Sequence, residues 1–146
     1  MLFRSERFIN AGANILTFHY EATDCAAELL DRIRALGARS AVSIKPATPV
    51  ESIFHILSKC DMVLIMTVEP GFGGQKILSQ MLPKIQALRE ETSRRGLDVD
   101  IQVDGGINEE NAQEVITAGA NVLVAGSSVF KAEDRKKAIE LLRAKP

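Results

Sequence analysis

The chain has 146 residues and a formal net charge of -1, with 46% hydrophobic and 25% charged residues. That suffices for one domain over 1–146 with its own core and is too little for two. Near-neutral charge gives no electrostatic footprint for nucleic acid or an anionic membrane surface. No apolar run approaches the ~20 residues that span a bilayer, and the opening Met1–Arg7 has too little apolar length for a signal peptide. The two cysteines, Cys25 and Cys60, lie far apart without metal-ligand spacing. They read as free thiols of a reducing compartment, the cytosol, rather than as a disulfide.

In chain order, residues 5–11 read as the last turns of a helix, with Gly12 just past its end. The β-rich run 14–19 is a strand. Asp24 is placed to cap the next helix, where Ala26, Leu29, Leu30, Ile33 and Leu36 recur at helical spacing until Gly37. A strand over 40–44 closes at Lys45-Pro46. Thr48 and Glu51 form a capping box around Pro49 and open a helix to about 59. The continuous apolar run from Met62 into Thr67 is a buried strand, and it feeds the glycine-rich stretch Gly71-Phe72-Gly73-Gly74. A helix over about 79–95 follows, then a strand over 98–103 ending in Asp104-Gly105-Gly106. Asn108 caps a helix through 118. A strand over 121–125 ends in Gly126-Ser127-Ser128, and a helix over about 133–144 closes the chain.

Helices and strands thus alternate, and no two strands are joined by a hairpin-length loop. That predicts βαβ crossovers and a parallel sheet of about five strands. The stretches Ala11-Gly12-Ala13-Asn14 and Ala118-Gly119-Ala120-Asn121 echo one another as helix stops before strands, which favours a repeating α/β architecture.

Ligands of parallel α/β folds sit at the carboxyl ends of the strands. Three consecutive strands here end in glycine loops, whose backbone N–H groups can cradle a phosphate. The same glycines can instead serve only close packing of helix on strand. Asp104 ends an apolar strand beside these loops. It is a candidate general acid or base, a candidate metal ligand, or a carboxylate that only fixes its loop. His19 and Glu21 alternate along an extended segment and point to one side, which suits a hydrogen-bonded structural histidine as well as a functional one. His55 reads as a surface or packing residue, and Lys45 as a solvated lysine within reach of the site. Cys/His metal spacing, a Ser-His-Asp order and a P-loop are absent from the sequence, and Ser127-Ser128 lacks a nucleophile-elbow pattern.

Several stretches together resemble the ribulose-phosphate 3-epimerase family. They are Thr17-Phe18-His19-Tyr20-Glu21-Ala22-Thr23, Ile44-Lys45-Pro46-Ala47-Thr48, Met66-Thr67-Val68-Glu69-Pro70-Gly71-Phe72-Gly73-Gly74-Gln75-Lys76, Val103-Asp104-Gly105-Gly106-Ile107 and Val124-Ala125-Gly126-Ser127-Ser128-Val129-Phe130. The resemblance runs from about Arg7 to the end of the chain. It implies a (β/α)₈ barrel of ribulose-phosphate-binding type that interconverts D-ribulose 5-phosphate and D-xylulose 5-phosphate in the pentose phosphate pathway. The implied chemistry is proton abstraction beside the ketone and reprotonation from the opposite face, with two aspartates as acid and base. A divalent metal (zinc, with iron, manganese or cobalt as alternatives) stabilises the enediolate oxygens.

Carried over residue by residue, Asp104 matches a catalytic aspartate that is also a metal ligand. Gly71, Phe72, Gly73, Gly74, Gly105, Gly106, Gly126 and Ser127 match substrate positions, largely around the phosphate, and Met66 matches a methionine lining the site. Aligned by motif, the strands correspond to the family's fourth to eighth. The resemblance places the second aspartate, two metal-binding histidines and a substrate-contacting serine in the first three. The expectation is therefore an incomplete barrel of about five of eight βα units, with the metal site incomplete in this chain. Its open edges call for a homo-oligomer or association with another chain. Alternatives are a non-catalytic sugar-phosphate-binding or oligomerising partial barrel, and an epimerase acting on a hexulose 6-phosphate.

Overall fold

Strand formation follows the apolar runs. In the computed structural model, which describes residues 2–68 and 80–143, the elements alternate as expected. They are α1 (Leu2–Asn10), β1 (Ile15–His19), α2 (Ala26–Ala35), β2 (Arg39–Ile44), β3 (Met62–Met66), α3 (Met81–Arg94), β4 (Asp100–Asp104), α4 (Ala112–Thr117), β5 (Val122–Val124), α5 (Ser127–Phe130) and α6 (Arg135–Leu142). Two 3₁₀ segments, Tyr20–Ala22 and Val50–Lys59, complete the set. The strands form one five-stranded sheet in the order β1-β2-β3-β4-β5, and every neighbouring pair is parallel.

Successive side chains of a strand point to opposite faces, so the register sorts the sheet into two surfaces. Val42, Ile44, Val63, Ile65, Ile101 and Val103 lie on one face and are fully buried. They form a single core with Leu30, Ile53, Ile56, Leu57, Ile85, Leu88 and Val115 from the helices and the longer 3₁₀ segment. A smaller cluster of Leu29, Ile33 and Ala38 packs with Ile9, Leu16 and Phe18 under α1. The other face carries His19, Ser43, Leu64, Gln102 and Val122 as one row of register partners, and Met66, Asp104 and Val124 as the next. Leu64, Gln102, Asp104, Val122 and Val124 on it are only partly buried, so this is the more open side.

Local capping differs from expectation at two helix starts. The hydroxyl of Thr48 is held by the Glu21 carboxylate, so no capping box forms with Glu51. The segment behind it winds as a 3₁₀ helix from Val50, with Pro49 before it. Asp24 does not cap α2. Thr23 Oγ1 instead accepts from the Cys25 N–H at 3.2 Å. Both cysteines are free thiols, and burial pushes the Cys60 thiol up to about 12. A short helix (α5) that no sequence pattern marked follows Gly126 directly.

The amino ends of the strands are joined by a polar lattice. The Arg39 guanidinium meets Asp100 at 2.6 Å, and Asn121 Nδ2 donates to the same carboxylate at 2.8 Å. Asn121 Oδ1 in turn accepts from the Ile101 N–H at 2.7 Å. Asp61 accepts from the Ser40 N–H at 2.7 Å and from Arg34 at 2.9 Å. These links tie β2, β4 and the entry to β5 at the end of the barrel that serves stability rather than chemistry. The hydrogen bond from Arg39, helped by Asn121, holds the Asp100 carboxyl below its ordinary 3.8. A carboxylate depressed in the folded state stabilises the fold above its unfolded pKa, and the contribution disappears as pH falls through the folded pKa. Urea unfolding between pH 6 and 2 is therefore expected to show stability falling below about pH 4. Asp100→Asn should lower stability at pH 6 and flatten that acid limb; an acid limb as steep as the parent's would contradict the assignment.

Candidate active site at the carboxyl ends of the strands

Asp104 is the last residue of β4, and its Cα partners are Met66 on one side and Val124 on the other. The period of two places its side chain on the open face with Gln102, away from the buried Ile101 and Val103. Burial, the one cause acting on it, pushes the Asp104 carboxyl above its ordinary 3.8. A carboxyl that is partly desolvated at a strand end is suited to take up and return a proton. Met66, the expected lining residue, is 9% exposed on the same face. The structure thus brings Met66 and Asp104 together as register neighbours.

Behind Asp104 the chain turns through Gly105 and Gly106, at φ +128° and +69°. A side chain at Gly105 would also collide, since an added Cβ would lie 2.5 Å from Val68 Cγ2 and 2.9 Å from the Val68 nitrogen. The loop carbonyls are engaged. Thr67 Oγ1 donates to Gly105 O at 2.6 Å, Asn111 Nδ2 to Gly106 O at 2.8 Å, and Ser128 Oγ to Ile107 O at 2.7 Å. The Thr67 N–H additionally donates to Asp104 O at 2.9 Å.

Gly126 precedes α5, and its carbonyl accepts from Val129 and Phe130. Ser127 is exposed at the first position of that helix. Gly126 and Ser127 therefore follow the strand that pairs with Asp104, one βα loop over. Gly71, Phe72, Gly73 and Gly74, the third expected loop, lie outside the described residues.

The loops after β1 and β2 form a second polar group. His19 Nδ1 is hydrogen-bonded to Ser43 Oγ at 2.8 Å and lies 3.5 Å from Glu21. The two side chains meet because the chain turns into the 3₁₀ segment Tyr20–Ala22 after His19, not along the extended segment the sequence suggested. Burial raises the Glu21 carboxyl, but hydrogen bonds from the Lys45 N–H and the Thr48 hydroxyl outweigh it and leave the group below its ordinary 4.5. Lys45 itself is exposed and His55 is exposed beside Tyr20, ring centroids 6.5 Å apart. The residue that sequence reading missed is Lys84. Its ammonium donates to the carbonyls of Lys45, Pro46 and Thr48 at 3.2, 2.7 and 2.6 Å, and burial pulls its pKa down. It pins the first turn of α3 to the loop after β2. Nothing in its local sequence marks this role, because the partners lie 36 to 39 residues away.

A zinc-type centre needs three or four protein donors. Among the described residues no group of three or more His, Cys, Asp or Glu is gathered to hold a metal. Asp104 can supply one donor; the described residues do not fit a complete centre, and no chemical step is assigned to a metal below. No helix among them is long and apolar enough to cross a membrane.

Comparison with known proteins bears on the family. Residues 3–130 match the model of the ribulose-phosphate 3 epimerase family. The chain is 49% identical over 136 residues to ribulose-phosphate 3-epimerase of Eremothecium gossypii, covering 93% of this chain and 55% of that protein. It is 47% identical over 137 residues to the enzyme of the same name from Bacillus subtilis, covering 93% of this chain and 63% of that one. The chain thus spans little more than half the length of these curated relatives. Among solved structures, a 3-hexulose-6-phosphate synthase superposes with a TM-score of 0.72 at 22% identity, covering 97% of this chain and 66% of the other. The tryptophan synthase alpha-subunit of Pyrococcus furiosus gives a TM-score of 0.61 at 18% identity, covering 97% and 57%. These two likenesses bear on the fold alone, a parallel α/β arrangement of the barrel kind. Since the family model matches residues 3–130, which include the Asp104 loop and the loop after β5, the chain belongs to the ribulose-phosphate 3-epimerase family.

Proposed function

We propose that this chain acts on a pentulose 5-phosphate as part of a 3-epimerase, interconverting D-ribulose 5-phosphate and D-xylulose 5-phosphate in the pentose phosphate pathway, with Asp104 as an acid–base group. The observation that carries the reading is Asp104 itself. It is a carboxyl raised by burial, on the open face at a strand end, beside Met66 and in front of two glycines with left-handed backbone. The proton at C3 of the substrate lies next to the C2 ketone. When the C3–H bond breaks, the Asp104 carboxylate takes the proton and the electron pair moves onto the ketone oxygen as an enediolate. Return of a proton from the same carboxyl reforms C3–H on the same face.

Inversion needs a second acid on the opposite face. The open-face register neighbours of Asp104 are Met66 and Val124, with Gln102 two residues back on β4, and none is an acid. The described residues therefore account for proton exchange on one face. The second acid and the metal donors, zinc being the metal we favour, would come from outside them. Gly71, Phe72, Gly73, Gly74, Gly105, Gly106, Gly126 and Ser127 form the substrate and phosphate positions of this reading, since a phosphate held by backbone N–H groups fixes C3 against the carboxyl. The edges of β1 and β5 have no further strand partner among the described residues. We assign them to contact with another chain, and the two free thiols suit a cytosolic location.

The test is wash-in of solvent deuterium at C3 of either epimer, followed by NMR in D₂O. The chain is expected to label C3, and Asp104→Asn should slow labelling by about 10²- to 10⁴-fold. Labelling at an unchanged rate in Asp104→Asn would refute the assignment. A pure binding module is the second reading, favoured by the lack of an acid among the open-face neighbours of Asp104. It predicts stabilisation without labelling. Either sugar phosphate at 100 times its Kd should stabilise the fold by about 2.7 kcal/mol, read as a rise in melting temperature. No rise at saturating ligand would contradict both readings.

A further inference from the structure

The loop that presents Asp104 is held by its carbonyls. Gly105, Gly106 and Ile107 are consecutive, and their three carbonyls are taken by three side chains from three separate segments. Thr67 follows β3 and is fully buried. Asn111 stands at the start of α4, and Ser128 lies in the first turn of α5. The Asn111 amide is used at both ends, since its Oδ1 accepts from the Asn108 N–H at 3.0 Å while Nδ2 donates to Gly106 O.

The C=O and N–H of a trans peptide point in opposite directions, and the chain has no cis peptide among the described residues. Turning the Gly105 and Gly106 carbonyls toward Thr67 and Asn111 therefore turns the N–H groups of Gly106 and Ile107 the other way. Neither N–H has an acceptor among the described residues. We propose that Thr67, Asn111 and Ser128 are positioning residues: by capturing three successive carbonyls they hold the loop after β4 so that the Gly106 and Ile107 N–H groups and the Asp104 carboxyl are presented together to the substrate. Thr67 is the central member. It grips both the Asp104 and the Gly105 carbonyls, through its N–H and its hydroxyl respectively. A side chain at Gly105 would collide with Val68 and the Thr67 hydroxyl, so only glycine lets the loop lie this close to the segment after β3.

This assignment rests on the proton-transfer role given to Asp104, and two readouts separate the two claims. Thr67→Val keeps the side-chain volume and the N–H but removes the hydroxyl donor, while Thr67→Ser restores it. Backbone ¹⁵N relaxation of the 146-residue chain reads the loop without any turnover. In Thr67→Val the order parameters of Gly105, Gly106 and Ile107 should fall from about 0.85 toward 0.6 or below, with the strands unchanged. Thr67→Ser should keep the parent values. In the deuterium wash-in assay, Thr67→Val should lower kcat by about 10- to 100-fold, the scale expected for a misplaced reacting group, and Thr67→Ser should recover most of it. Ser128→Ala, a second variant at the other end of the loop, should loosen Ile107 in the relaxation measurement. A rigid loop in Thr67→Val, a Thr67→Ser variant that behaves like Thr67→Val, or a loss of order spread over the whole sheet would overturn the proposal. Should the parent chain give no wash-in, the acid–base role of Asp104 fails, and the relaxation data with the serine rescue decide the positioning role by themselves.

Discussion

The parallel register of β3, β4 and β5 is the constraint on which the site depends. Met66, Asp104 and Val124 are aligned as Cα partners, so one row of the sheet ends together. Because the strand period is two, a slip of β4 by one residue would send Asp104 under the helices and bring Val103 to the open face. The apolar face prevents that slip. Val63, Ile65, Ile101 and Val103 are all fully buried against Ile53, Ile85, Leu88 and their neighbours. Exposing two such side chains while burying a carboxylate would cost several kcal/mol, each residue contributing roughly 1.5–3 kcal/mol. The core thus acts on the chemistry by excluding the alternative register.

The two ends of the sheet divide the work. At the amino ends, the Arg39–Asp100 ion pair connects β2 to β4, and the Ser40 N–H with Arg34 of α2 holds Asp61 just before β3, which keeps both carboxyls below their ordinary range. At the carboxyl ends, Asp104 is pushed the other way by burial. Two aspartates on one strand, four residues apart, are in this way given opposite tendencies by their surroundings alone. The difference follows from partners: Asp100 has Arg39 and Asn121, while at Asp104 burial is the one influence. A carboxyl meant to exchange a proton gains from the second environment and would be disabled by the first.

Much of this was legible in the sequence. The alternation of apolar runs with helical spacings gave the parallel sheet, and Asp104 at the end of an apolar run gave the candidate acid. Gly12 and Gly37 marked helix ends because their left-handed backbone, at φ +103° and +87°, is what such stops require. Asp24 missed its capping place for a local reason, since Thr23 beside it takes the Cys25 N–H, whereas the other misses involve partners distant in sequence. Thr48 was expected to cap its own helix but is claimed by Glu21, 27 residues earlier. Lys84 of α3 is a cross-brace to the loop after β2, with carbonyl partners 36 to 39 residues away. Thr67 and Ser128 reach the loop after β4 across 38 and 21 residues. Hydrogen bonds of that range leave no periodic trace, so only the folded chain reveals them.

The central claim is that Asp104 faces C3 of a pentulose phosphate whose phosphate rests on the neighbouring backbone. A crystal structure of the chain with a non-reactive pentitol 5-phosphate tests it most directly. The account places a carboxylate oxygen of Asp104 about 3 Å from the C3 position, within the reach of proton transfer, with the phosphate on the loops that follow β4 and β5. A ligand bound elsewhere, or bound there with Asp104 turned away from C3, would contradict it.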